Sequence, residues 1–267
     1  MFKFICLGSG SCGNCYYLNA EGYGIIIDMG LGLRSMKKHF RDYGLSLAQI
    51  GAILVTHDHT DHVKSVGALS NEFHLPVYST QEVHDGMVRN NFMTKKVRQE
   101  EKHILQPHQA ETVGPFRVTA FPVPHHSSGN NGYFIEYDDT AFCLITDAGH
   151  LTPEMLEYLG RAHYLVVEAN YDTTMLETGP YPQYLKRRIM GPAGHLCNDE
   201  TAQALAVHLS EHARHIWLCH LSEENNHPEL ARKTVESVLL STGYVLGKRL
   251  RLEVLKRKVP SELYELE

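Results

Sequence analysis

The chain has 267 residues, 43% hydrophobic and 21% charged, with a formal net charge of −6. This balance predicts one sizeable α/β domain or two small ones and excludes a disordered chain. The acidic total excludes a general electrostatic case for nucleic-acid binding, and the six scattered cysteines exclude a disulfide framework and fit a reducing cytoplasm.

The N-terminal run Met1-Phe2-Lys3-Phe4-Ile5-Cys6-Leu7 reaches Gly8 at once and lacks a small-residue cleavage site, so it reads as a strand rather than a signal peptide. No apolar run approaches the ~20 residues that a membrane span needs, and a cytoplasmic location with no membrane partner is expected. Strands are predicted over 3–7, 16–19 and 24–28, a helix over 33–43, a strand over 52–56, and helices over 63–73 and 80–90. Strands follow over 117–123, 132–137 and 141–146, then a helix over 152–159 and a strand over 164–168. The remainder reads as helices over 181–189 and 198–210, a strand over 216–219, a helix over 228–241 and a strand over 250–255. Thr152-Pro153-Glu154 and Asn198-Asp199-Glu200 each place a capping side chain and acids in a first helical turn. Strands in succession, then helices, then strands again suit an α+β layered sandwich. No internal repeat or Pro/Gly/Ser-rich linker divides the chain, so a single domain over 1–267 is expected.

The 18 histidines are the compositional anomaly. Thr56-His57-Asp58-His59-Thr60-Asp61-His62 directly follows the apolar run Ala52-Ile53-Leu54-Val55. A strand end followed at once by imidazoles and a carboxylate presents several donors to one small volume, a set that suits Zn, Mn, Fe or Ni. His57 and His59 flank one residue and can grip one ion, while Asp61 and His62 can reach another. Further ligand-type side chains stand at strand ends: His125 after 117–123, Asp147 after 141–146 and His220 after 216–219. His195 lies between Gly194 and Leu196, ahead of a helix.

H-x-H-x-D-H, then a His, an Asp and a late His, resembles the metallo-β-lactamase superfamily. Further pieces are similar to the YycJ/WalJ-like group: Leu7-Gly8-Ser9-Gly10-Ser11-Cys12-Gly13-Asn14, Glu168-Ala169-Asn170, Tyr181-Pro182, Arg187-Arg188-Ile189, Gly194-His195-Leu196 with Asn198, and His220-Leu221-Ser222 with Asn225-Asn226. The resemblance implies a four-layer αββα sandwich and two divalent metal ions per chain, Zn or Mn, with Fe or Ni as alternatives. It implies that His57, His59 and His125 hold one ion, Asp61, His62 and His220 the other, and that Asp147 bridges them. Tyr171 and His126 depart from the group's pattern, which has His and Asp there.

The resemblance also implies a hydrolase of nucleic acid, DNA rather than RNA, acting as a 5′-to-3′ exonuclease through a hydroxide shared by the metals. Two ions about 3.5–4 Å apart acidify a shared water and neutralise charge developing on a phosphoryl oxygen, so no Ser or Cys nucleophile is required. Asp61 is the expected base and His195 the expected proton donor to the leaving oxygen. Ser11, Asn14 and Asn225 are expected to contact substrate, with initiation of the last helix as the other role for Asn225. Asp28 is expected to anchor a metal-ligand loop as a hydrogen-bond acceptor. The basic clusters Lys95-Lys96-Val97-Arg98, Lys186-Arg187-Arg188 and the stretch Lys248–Lys258 are either phosphate contacts or solvated faces. The alternatives on the same fold are a cyclic phosphodiesterase, a thioester hydrolase and a mono-iron sulfur dioxygenase. Cys12-Gly13-Asn14-Cys15 matches C-x-x-C but lacks the βαβ setting of a redox motif.

Overall fold

Strand β1 (Phe2–Gly8) points Phe2, Phe4 and Cys6 to one side and Ile5 and Leu7 to the other, and both sides are buried. The same two-sided burial recurs along the chain, so the sheets must be covered on both faces. In the computed structural model, which describes residues 1–93 and 95–267, the following strands are β2 (Cys15–Ala20), β3 (Tyr23–Ile27), β4 (Ile50–Leu54), β5 (Val77–Ser79), β6 (Lys102–Ile104) and β7 (Ala110–Val113). After them come β8 (Phe116–Pro122), β9 (Asn131–Tyr137), β10 (Thr140–Ile145), β11 (Tyr164–Glu168), β12 (His215–Cys219), β13 (Arg251–Val254) and β14 (Tyr264–Leu266). One seven-stranded sheet runs β14-β1-β2-β3-β4-β5-β6 and the other β13-β12-β11-β10-β9-β8-β7. Both are mixed: β3 to β6 and β10 to β13 are parallel and the rest antiparallel.

The inner faces meet in an aromatic core, where Phe4 of the first sheet lies 4.7 Å from Trp217 and 5.1 Å from Phe142 of the second, centroid to centroid. Each buried aromatic removes about 150–250 Å² from water, roughly 4–6 kcal/mol by area as an upper bound. Helices α1 (Leu33–Asp42), α3 (Val66–Phe73) and α4 (Gln81–Arg89) cover the outer face of the first sheet through Met36, Phe40, Leu69, Val83 and Met87. Helices α5 (Pro153–Arg161), α8 (Asn198–His208) and α9 (Pro228–Ser241) cover the second through Met155, Leu159, Leu205, Val235 and Leu239. The layers are therefore αββα, as expected. The short helices α2 (Thr60–Val63), α6 (Thr173–Thr178) and α7 (Gln183–Ile189) complete the set among the described residues.

The differences from expectation are local. The helix expected over 63–73 is two helices, because the Ser65 amide turns away to the Met29 carbonyl at 2.9 Å. The cap of α8 is Cys197 rather than Asn198: its sulfur accepts from the Glu200 amide and the Glu200 carboxylate accepts from the Cys197 amide. Asn198 is instead buried against Asn226. Strands β5, β6, β7 and β14 and helix α6 were not expected; at three to six residues they are too short to show a period.

Candidate metal centre

The parallel strands of both sheets deliver their C-terminal ends to one edge of the sandwich. Asp28 follows β3, the segment His57–His62 follows β4, Asp147 lies just beyond β10, Glu168 ends β11 and His220 follows β12. Asp28, Asp147 and His220 adopt left-handed backbone conformations, with φ of 61°, 54° and 54°. For residues with a Cβ this costs roughly 1 kcal/mol each, a strain typical of functional positions. It turns the chain sharply at the strand end and aims the side chain along the edge.

The structure brings all seven expected ligands together. His57, His59 and His125 each offer a ligand atom, and these lie within 4.8 Å of one another; Asp61, His62 and His220 form a second such group. Asp147 faces both: Oδ2 is 3.3 Å from His62 Nε2, while Oδ1 is 3.7 Å from His125 Nε2 and from His220 Nε2. The remaining imidazole nitrogens are spoken for. His62 Nδ1–H donates to Asp28 Oδ2 at 2.7 Å, His125 Nδ1–H to the Gly194 carbonyl at 3.0 Å and His59 Nε2–H to the His126 carbonyl at 2.9 Å. His57 Nδ1–H donates to Thr56 Oγ, whose own proton goes to Asp28. These contacts fix the tautomers so that the opposite nitrogen carries its lone pair inward. Nε2 of His57 and of His220 is buried without any hydrogen-bond partner. Two buried, unpartnered imidazole nitrogens amid carboxylates are what a divalent cation would satisfy, so the donor set fits metal ions.

Electrostatics separates the two triads. Burial pushes His57 well below its ordinary range, and burial pushes His125 down to about 4, so both are neutral and ready to bind. Burial also works against charge on His62 and His220, but carboxylates outweigh it. Asp147, Asp28 and Asp61 hold His62 well above the usual range, and Asp147, Asp61 and Glu168 raise His220 to about 10. Asp147, against the cost of its burial, is driven well below the usual carboxylate range by His220 and His62. His62 and His220 thus hold protons that a cation would have to displace.

Glu168 carries a role that its place in the sequence motif did not disclose. Its Oε1 accepts from His195 Nδ1 at 2.8 Å and His220 Nδ1 at 3.1 Å, and its Oε2 from the amides of Ala148 at 2.8 Å and Leu196 at 3.2 Å. The available signal was a lone acid ending the apolar strand Leu165-Val166-Val167, the same pattern as Asp28. His195 is thereby fixed beside the cluster, its ring 5.1 Å from His125 and 5.4 Å from His220. Gly194 permits this, since a Cβ there would meet the Ile189 carbonyl at 2.0 Å.

A cavity of about 330 Å³ opens over the cluster, lined among others by Ser11, His126, Asn170, Tyr181, Arg188 and His195. Ser11 reaches it. Asn14 does not line it: it is buried, with Oδ1 accepting from the Gly10 amide and Nδ2 on His62 Nε2 at 2.9 Å and on Asp61 Oδ2 at 3.4 Å, so it contacts the ligand atoms rather than the cavity. Asn225 is corrected likewise, being buried with its amide on Ser222 Oγ, outside the cavity lining. Tyr171 is buried against Leu176 and Cys197, whereas His126 is exposed at the mouth. The basic clusters also divide. Lys186 is 5% exposed and donates to the carbonyls of Glu177 and Gly179, so it is structural, while Arg188 is exposed at the cavity. Lys248, Arg249 and Arg251 border a recess at the opposite end of β12 with His215, whereas Arg257 lies against Gly10 and donates to the Ser222 carbonyl at 2.8 Å on the metal side. The segment Lys95–Lys102 is absent from the cavity lining.

The β-lactamase superfamily domain pattern matches residues 23–221. The chain is 32% identical over 260 residues to exodeoxyribonuclease YycJ of Bacillus anthracis, covering 97% of each chain. It is 32% identical over 246 residues to exodeoxyribonuclease WalJ of Streptococcus pneumoniae serotype 2, covering 92% of this chain and 91% of that one. Among solved structures, the metallo-β-lactamase fold protein YhfI from Bacillus subtilis superposes with a TM-score of 0.71 at 18% identity, covering 97% of this chain and 98% of that one.

Proposed function

Because this chain belongs to the metallo-β-lactamase superfamily, in the group of the YycJ and WalJ exodeoxyribonucleases, we propose that it is a dinuclear metal-dependent phosphodiesterase that digests DNA from the 5′ end. One observation carries the reading: two three-residue groups of ligand-type side chains lie on either side of Asp147, with buried imidazole nitrogens left unpartnered. His57, His59 and His125 would hold one ion; Asp61, His62 and His220 would hold the other. When bound, two such ions supply Lewis acidity at the phosphoryl group and a water acidic enough to ionise near neutral pH.

The protein's own part is orientation and proton transfer. Asp61, whose Oδ2 lies 3.6 Å from both His62 and His220 Nε2, orients the attacking water and takes its proton. His195 donates through Nε2 to the leaving oxygen, since Nδ1–H is held by Glu168, which orients the ring. Arg188 and Ser11 at the cavity contact the phosphate backbone. A cavity of about 330 Å³ suits one terminal nucleotide, which accords with exonucleolytic rather than internal cleavage.

The test is digestion of 5′-labelled and 3′-labelled DNA and RNA with Mn or Zn, with Asp61→Ala as control. Early release of label from 5′-labelled DNA is expected. Release from the 3′ end first, or undiminished activity in Asp61→Ala, contradicts the reading.

A further inference from the structure

We propose that the metal cleft continues past His59 into a second arm that binds a neighbouring nucleotide of a single-stranded nucleic acid, with Phe92 as the platform for its base and Arg89 as its phosphate contact. The inference rests on the nuclease reading and adds the arm, the strand state and these two residues. A groove of about 560 Å³ shares His59 and Asp61 with the catalytic cavity, so the two recesses meet at the ligand cluster. Its outer wall is the end of α4 and the loop after it. Phe92 lines this groove and is 73% exposed. A single exposed phenyl ring is unremarkable by itself. This one, however, has its backbone tied to the metal-site segment through Asn90.

Asn90 Nδ2 donates to the Asp58 carbonyl at 2.7 Å and Asn90 Oδ1 accepts from the Phe92 amide at 2.8 Å, tying the ring's backbone to the H-x-H-x-D-H segment. Lys96 donates to the Met87 carbonyl at 3.0 Å and also to that of Asn90, holding the C-terminal end of α4. Gly86 lets α4 lie directly on the motif, because a Cβ there would fall 2.2 Å from Asp58 Oδ2. Arg89, the one Lys or Arg among the described lining residues, donates a single bond to Ser128 Oγ at 3.1 Å, and Ser128 Oγ donates to Asp58 at 2.6 Å. The guanidinium is positioned by one contact and keeps its other N–H donors for a ligand. The acids of the groove are engaged, Asp58 with Ser128 and Asp61 with the ligand cluster.

An exposed aromatic face beside an anchored cation is the combination that binds single strands, because every base has a π-face and every nucleotide a phosphate. A paired base stacked in a duplex has no free face to offer the ring. The arm therefore selects an unpaired strand.

The experiment measures binding of a short phosphorothioate-linked DNA single strand to the full chain by fluorescence anisotropy, across a range of salt. The proteins compared are wild type, Phe92→Ala, Phe92→Trp, Arg89→Gln and the distant surface control Val207→Ala. Phe92→Ala is expected to bind about tenfold more weakly with an unchanged salt slope, and Phe92→Trp to bind as wild type. Arg89→Gln is expected to lower the slope of log affinity against log salt by about 0.7, the loss of one phosphate contact on a single strand. Wild-type affinity in both Phe92→Ala and Arg89→Gln overturns the arm and leaves the nuclease reading standing. Failure of the wild type to bind or cleave any DNA overturns both. An equal tenfold loss on a blunt duplex overturns the single-strand assignment.

Discussion

Glu168→Gln tests how far the centre depends on one carboxylate. Glu168 accepts four hydrogen bonds, two at each oxygen: His195 and His220 at Oε1, and the amides of Ala148 and Leu196 at Oε2. An amide has one acceptor oxygen, so whichever way Gln is turned, its NH₂ faces two donors. Two charge-assisted bonds at about 1.5–3 kcal/mol each come to roughly 3–6 kcal/mol. Removing a buried charge offsets several kcal/mol of this, leaving a net destabilisation of about 2 kcal/mol. The local effect is sharper. If the NH₂ meets the histidines, Nδ1 of His220 must become an acceptor and its proton moves to Nε2, the atom needed for metal binding. An orienting contact of this kind is worth about 10- to 100-fold in metal affinity. Chelator competition on Glu168→Gln, with thermal unfolding alongside, should show that loss, a lower Tm and a still larger loss of turnover. Wild-type metal affinity and wild-type turnover together would refute the argument that Glu168 sets the tautomers.

His195→Ala should keep the metal content and lower turnover by about 10²–10⁴-fold, read as kcat against metal analysis; equal loss of both removes the donor assignment. In chelator-treated protein, His220, raised to about 10, contributes stability that is complete below its ordinary value and is lost as pH rises through about 10. The Tm of that form should therefore fall from pH 7 to 10, while uptake of the second metal equivalent strengthens over the same range as protons leave the triad; a flat Tm contradicts the assignment. Lys186→Ala should lower Tm, each of its two carbonyl bonds being worth about 1–3 kcal/mol. Arg188→Ala should leave Tm unchanged and weaken DNA affinity with a reduced salt slope; the reverse pattern refutes the division of that basic cluster.

The metal centre was legible where the chemistry is dense along the chain. H-x-H-x-D-H after an apolar strand places four donors within six residues, Asp147 and His220 stand at strand ends that parallel pairing brings to one edge, and His125 follows β8, which reaches the same edge through antiparallel pairing with β9. What escaped is what depends on distance in the fold. Glu168 is one acid at a strand end, and nothing local says that it will meet two histidines 27 and 52 residues away. The stretch Lys248–Lys258 looks like one basic patch, but β13 crosses the sheet within it and delivers its two halves to opposite ends. Asn14 and Asn225 have the chemistry of substrate contacts, yet burial decides otherwise, and burial of a loop residue is not written in its neighbours.

The ligand groups draw on both sheets: His57, His59, Asp61 and His62 follow a strand of the first, whereas His125, Asp147 and His220 follow strands of the second. Cations seated there would act as rivets through the seam of the sandwich, joining residue 57 to residue 220 as a cross-link does. Stripping them frees that rim of the molecule first, while the aromatic interior around Phe4 and Trp217 stays shut. Amide exchange and proteolytic nicking should accordingly begin at this rim in metal-depleted protein, which would make the same seven side chains a clasp as well as the proposed reaction centre.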